Sequence, residues 1–255
     1  MGQALLRQVL TTTEARAAAG SERQGHPDLG KDLGYAVGQT LGVRISDDVD
    51  ALFETSDAVL DFTAPEATLR HAAEAARRGR ILIVGTTGLK PEHDAEIARA
   101  AARATIVKAA NFSIGVNVLV HLTRQVAALL PEEFDIEIVE MHHRHKVDAP
   151  SGTALALGRA AADGRHLDLP GVADRGRDGI TGARTKGHIG FAALRGGAVV
   201  GDHTVMFASD SERLELTHKA QDRSLFAAGA VRAALWARGR PAGLYGMDDV
   251  LGFKR

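Results

Sequence analysis

The densest concentration of chemically capable side chains is Glu140-Met141-His142-His143-Arg144-His145-Lys146. Three of the eleven histidines and two further cations lie there within five residues. Buried cations need partners, so such a run lines a polar cleft or faces water. Lining a cleft, it suits an anionic substrate with several carboxylates, one His or Lys being free to move a proton. A solvated strand end is the plainer alternative. A metal is a weaker one, because the spacing is not that of a helical His pair and no Cys supports it. Asp148-Ala149-Pro150-Ser151-Gly152-Thr153 follows directly, ahead of a helix expected over 154–163. Ser151 is suited to cap that helix. The amides of Gly152 and Thr153 then stand at the positive end of its dipole as a cradle for a carboxylate, unless this is simply an ordinary capped helix. Glu137 and Glu140 read as a polar strand face rather than a catalytic pair, and Thr217-His218-Lys219 reads as structural.

These residues need a scaffold, and the first half of the chain supplies alternating periods. Ala58–Phe62, Ile81–Val84 and Thr105–Ala109 are short apolar runs expected to be buried strands. Helices are expected over 66–78, 91–104 and about 114–130, with Thr63 as a cap and Gly79 as a stop. Strand and helix in alternation, with short links, imply a parallel sheet with crossover helices. Ligands bind such sheets beyond the carboxyl ends of the strands. That edge carries Phe62-Thr63, Gly85-Thr86-Thr87 and Ala109-Ala110-Asn111-Phe112. After Pro131 the pattern changes. Residues 135–140 alternate as a half-exposed strand, 164–186 read as a long loop, and 189–193, 198–200, 204–208 and 213–217 read as antiparallel strands. A closing helix is expected over 225–239. The domains expected are therefore 1–112 with 224–255, and a second, α+β domain over 113–223.

Composition excludes several classes. The net charge of −1 provides no field for nucleic acid or a membrane surface, and aromatic residues are only 4%. Cysteine is absent, which removes disulfides, thiolate nucleophiles and Cys-ligated zinc. No apolar run approaches the length of a membrane helix and no signal-peptide pattern opens the chain, so a cytoplasmic protein is expected. The opening is unusual for a doubly wound domain. Residues 1–10 have helical apolar spacing where a buried strand and Gly-rich turn are usual, yet Glu22 follows Gly2 at the spacing of a ribose-binding acid.

The stretch from Glu140 to Thr153 resembles the signature of the bacterial dihydrodipicolinate (4-hydroxy-tetrahydrodipicolinate) reductases. The resemblance extends to D-F-T at 61, V-G-T-T-G at 84, A-A-N-F-S-I-G-V-N at 109, G-F-A-A-L-R-G-G at 190, G-D-H-T-V-M-F at 201 and E-R-L-E-L-T-H-K-A at 212. It implies a Rossmann-type doubly wound α/β domain joined to an α+β substrate domain in a homotetramer. The implied activity is NADH- or NADPH-dependent reduction of a cyclic dicarboxylate in lysine and diaminopimelate biosynthesis, with no metal. By that resemblance His142 is the acid/base residue and Lys146 the proton donor, while His143, Gly152 and Thr153 hold substrate carboxylates. Gly85, Thr86, Thr87, Ala109, Ala110, Asn111 and Phe112 would lie along the nicotinamide half of the cofactor. Glu22 would take the adenosine ribose and Arg23 a 2′-phosphate.

The chain departs from the family pattern in two places. The family's first strand and most of its Gly-rich turn have no counterpart, and Ala64 stands where the family often has Arg. The first strand is central in the usual order, so a gap between two strand groups is expected. The expectation is a natural start about fifteen residues upstream, the length of a strand and turn. The alternatives are a catalytically impaired or non-catalytic homologue that binds cofactor poorly, and a metal-dependent hydrolase built on the His cluster.

Overall fold

The computed structural model describes residues 1–253. In chain order the elements are α1 (Gly2–Thr11), β1 (Gly20–Ser21), a 3-10 turn (Leu33–Val37), β2 (Ile45–Ser46), α2 (Val49–Thr55), β3 (Ala58–Asp61), α3 (Pro65–Arg78) and β4 (Ile81–Val84). Then come α4 (Pro91–Ala100), β5 (Thr105–Lys108), α5 (Ile114–Leu129), β6 (Asp135–His142), α6 (Gly152–Gly164), α7 (Leu169–Val172) and β7 (Ala173–Asp174). The chain closes with β8 (Ile189–Arg195), β9 (Gly201–Ala208), β10 (Arg213–Ala220), α8 (Ser224–Ala237), β11 (Gly243–Tyr245) and α9 (Met247–Leu251). It divides into two units, Met1–Ile114 with the segment from Ser224, and Gly115–Arg223.

In the first unit β3, β4, β5 and β11 form one parallel sheet in the order β11-β5-β4-β3. The apolar runs of β4 and β5 follow from burial on both faces. Leu82, Val84 and Ile106 pack with Phe53, Ala72, Ala75 and Ile97 of α2, α3 and α4. The alternate residues Ile83 and Val107 pack with Leu5, Ala227, Ala230 and Val250 of α1, α8 and α9. Period-two alternation thus divides a continuous apolar strand between two cores. β1 and β2 form a separate parallel pair. Between that pair and the edge strand β3 lies a cavity of about 1310 Å³, bordered by Gly20, Ser21, Ala58, Val59 and Leu60. The gap between two strand groups is therefore present, and among the described residues no strand pairs with the outer side of β3.

In the second unit the sheet order is β10-β9-β6-β8-β7. One face packs Ile136, Ile138, Ile189, Phe191, Val205 and Phe207 against Leu119 and Ala127 of α5 and Leu157 and Ala161 of α6. The sheet is mixed rather than antiparallel throughout, because β6 pairs parallel with β8 and β8 with β7. The expected strand over 198–200 is instead a turn that leads into β9, and the expected loop over 164–186 contains α7 and β7. The second expected helix stops at Ala100 instead of residue 104. The expected cap at Thr63 is also corrected. Ala64 occupies the cap position of α3, with Pro65 fixing the first turn, while Thr63 donates its hydroxyl to Asp61 at 2.5 Å.

Candidate active site

β6 carries the His cluster to its carboxyl end. Its side chains alternate, so Ile136, Ile138, Glu140 and His142 share the covered face, while Asp135, Glu137, Val139 and Met141 share the other. This corrects the reading of Glu140 as a polar strand face. Glu137 does lie on the outer face, where Arg177 and Arg184 bind it, but Glu140 is only 1% exposed. A buried carboxylate requires partners. Glu140 accepts from Arg195 Nη1 and Nη2, both at 2.8 Å, and from the Ser151 amide at 3.0 Å. His142 Nδ1 lies 2.6 Å from its Oε2. Burial works against ionisation here, but Arg195, His142 and the Ser151 amide together hold the carboxyl below its ordinary range.

Ser151 links this cluster to the next helix. Its side chain caps α6, accepting the Ala154 amide at 3.1 Å, and the same hydroxyl is hydrogen-bonded to His203 Nε2 at 3.0 Å. The His203 ring meets that of His142 edge-on at 5.1 Å. Burial, helped by the nearby charge of His142, pushes His203 down to about 4. The unfolded chain therefore takes up a proton between pH 6.5 and about 4 where the folded chain does not. Stability rises with pH across that window and falls as pH drops through it. His203→Gln is expected to flatten this dependence by about 3 kcal/mol, the worth of such a shift. Urea unfolding at pH 4.5 and pH 7 checks it: an unchanged difference between the two pH values would refute the neutral buried imidazole.

The remaining candidates of this unit occupy the loop after β6 and the start of α6. Lys146 is ion-paired with Asp148 at 2.8 Å, and this contact holds the Asp148 carboxyl below its usual range. His143 is half-buried. Desolvation, then the positive charges of Arg223, His145, His142 and Lys146, hold its imidazole below the ordinary value. Gly152 is exposed, with open space where a side chain would be, at the first residue of α6, and Thr153 follows it. Thus His142, His143, Lys146, Gly152 and Thr153 all belong to one strand end, its loop and one helix terminus. Glu140, Arg195 and His203 were missed. The spacing Glu-x-His on a strand places both side chains on one face and was a usable signal. Arg195 and His203 arrive from β8 and β9; both lie in stretches that carry the family resemblance, but no local spacing ties them to Glu140.

The first unit holds the other candidates. The turns after β3, β4 and β5 contain Thr63, Gly85-Thr86-Thr87 and Ala109 to Phe112. Thr86 is buried. Its hydroxyl accepts the Thr63 amide at 3.0 Å and the Thr68 hydroxyl at 2.8 Å, and lies 3.3 Å from Asp61 Oδ1. Its side chain therefore ties the β3 and β4 turns together. The Phe62 ring lies where a Cβ on Gly85 would go, so any side chain there would have to displace that ring. Thr87 is exposed. The Ala109 amide continues the ladder to Val84, Asn111 Oδ1 accepts the Ser113 amide, and Phe112 is buried against Phe62. Glu22 and Arg23 are exposed just beyond β1 and border the large cavity, together with Gly2, Gln3, Phe62, Thr63 and Ala64. Among the described residues no group of three or more His, Asp or Glu converges as metal ligands would, and no helix is long and apolar enough to cross a membrane.

A parallel sheet with polar turns along its carboxyl edge, in one chain with a unit that buries a Glu–His pair at a capped helix, defines an α/β protein of Rossmann type with a second, α+β unit. Residues 1–112 match the family described as dihydrodipicolinate reductase, N-terminus, and residues 115–251 match dihydrodipicolinate reductase, C-terminus. The chain belongs to the dihydrodipicolinate reductase family. The 4-hydroxy-tetrahydrodipicolinate reductase of Roseobacter denitrificans is 55% identical over 255 residues, covering 100% of this chain and 94% of that protein. That of Brucella abortus is 54% identical over 254 residues, covering 99% of this chain and 95% of that protein. In fold the chain is similar to a dipicolinate-bound dihydrodipicolinate reductase from Paenisporosarcina sp. TG-14, with a TM-score of 0.78 and 23% identity over 97% of this chain and 94% of that one.

Proposed function

We propose that this reductase converts 4-hydroxy-tetrahydrodipicolinate to tetrahydrodipicolinate with NADH or NADPH, as a cytoplasmic step of lysine and diaminopimelate biosynthesis. The observation that carries this reading is the buried Glu140–His142 pair at the capped start of α6, in a chain more than half identical to reductases of that name. The ring loses water and gains a hydride and a proton. His142 acts as the acid/base residue and Lys146, released from Asp148, as a proton donor. His143 and the first-turn amides at Gly152 and Thr153 hold the two carboxylates, where the helix dipole favours negative charge. Neighbouring cations stabilise charge that develops on the ring.

The residues of the first unit fit a dinucleotide in part. Gly85, Thr87 and the stretch from Ala109 to Asn111 stand at the edge where such cofactors bind, with Thr86 and Phe112 holding those turns in shape. Glu22 and Arg23 border the large cavity, where the carboxylate suits ribose hydroxyls and the guanidinium a 2′-phosphate. When bound, the nicotinamide supplies the hydride. A homotetramer is proposed through the uncovered face of the second sheet, which carries Val139, Met141, Met206 and the half-exposed Leu194.

The test is consumption of NADH or NADPH on addition of 4-hydroxy-tetrahydrodipicolinate to the purified protein. Protein that binds neither nicotinamide and leaves both unoxidised would overturn the proposal. Within it, Arg23→Ser is expected to raise KM for NADPH about tenfold, the worth of one charge-assisted contact, and to leave KM for NADH unchanged. Equal changes with both cofactors would remove Arg23 from the 2′-phosphate.

A further inference from the structure

We propose that Glu140, clamped by Arg195, is the positioning residue that fixes His142 with its proton on Nδ1 and so makes Nε2 the atom that exchanges protons with substrate. The proposal deepens the acid/base reading of His142 and rests on it.

The argument is one of donor and acceptor capacity. An ionised carboxylate has only acceptors. Three of the contacts to Glu140 come from groups that can only donate: two guanidinium N–H groups of Arg195 and the backbone amide of Ser151. These contacts favour the ionised carboxylate in a site that is 1% exposed. The fourth contact, His142 Nδ1 at 2.6 Å from Oε2, is then a donor as well. A neutral imidazole carries one N–H, so in that form Nε2 keeps its lone pair.

The surroundings protect this arrangement. Arg195 is itself anchored, donating to the carbonyls of Leu194 at 2.6 Å and Asp148 at 2.7 Å. It therefore holds Glu140 against both β8 and the loop that leads to α6. On the far side of the ring, His142 Nε2 lies 2.9 Å from where a Cβ on residue 201 would be, and that residue is glycine. The strand beside Nε2 has been left without a side chain, while Nδ1 is held by a carboxylate. His203, hydrogen-bonded to Ser151, meets the ring edge-on and limits its rotation.

The first readout is the imidazole nitrogen NMR spectrum of the intact protein at alkaline pH. The neutral His142 ring is expected to be protonated on Nδ1, with a strongly downfield Nδ1–H proton. A ring protonated on Nε2 would overturn the proposal without any variant. The second readout is Glu140→Gln. It keeps the volume but offers Arg195 one acceptor oxygen instead of two and lets a side-chain N–H face His142. This variant is expected to lose the single-tautomer signature and at least about 100-fold in kcat, the usual worth of a placed acid/base, with KM for the nicotinamide unchanged. A folded variant with wild-type kcat would also overturn it. If the Nδ1–H signature is found but His142→Gln turns over normally, the acid/base reading of His142 fails while the role of Glu140 in setting the tautomer stands.

Discussion

Replacing His142 by Gln is expected to lower kcat by about 10²- to 10⁴-fold, the range for removing a placed proton-transfer group, while leaving the Kd for NADH close to that of the wild type. The separation follows from the fold. His142 ends β6 in the second unit, whereas the turns proposed to border the nicotinamide follow β4 and β5 in the first. Glutamine fills much of the ring's space and can still donate to Glu140, so the buried carboxylate keeps a fourth partner and the variant should fold. Steady-state kinetics with NADH titration monitored by fluorescence measures both quantities. Wild-type turnover would remove His142 from proton transfer. An equal loss of cofactor affinity would show that the substitution disturbs more than the site.

The second large effect is structural. Gly229 lies on α8, and a Cβ there would land on the backbone carbonyl oxygen of Phe112. No side-chain rotation relieves that overlap, so α8 or the turn must move. Overpacking of this kind costs about 3 kcal/mol or more when backbone is the obstacle. Gly229→Ala is therefore expected to lower Tm by about 6–12 °C for a chain of this size. Because the displaced carbonyl belongs to the turn proposed to border the nicotinamide, NADH affinity should fall as well. Calorimetry and NADH titration check the two parts. A Tm within about 2 °C of the wild type would mean that α8 shifts without strain.

Much of this architecture could be read from local pattern. Apolar runs of four residues between helices with Pro starts and Gly stops are short-range signals, and β3, β4, β5 and α3 appear where those signals lie. Ser151 was legible as a cap because a cap involves residues only three apart. The opening helical spacing announced α1. The strand directions in the second unit were not legible. Whether β6 runs parallel or antiparallel to β8 depends on how a long connection returns, and period-two alternation is the same either way. Thr63 and Thr86 were legible as polar turn residues, but not the buried network with Asp61 that takes up their hydroxyls.

Sequence alone determined the family, the alternation of strand and helix, and the cluster from Glu140 to Thr153, because each is written in contiguous residues. Tertiary structure alone decided what Glu140 is. On the strand it is one more polar residue. It becomes a buried, charged partner of His142 only when β8 brings Arg195 and β9 brings His203 to the same face. The physical reason is that burying a charge costs several kcal/mol unless donors converge on it, and convergence depends on packing between strands.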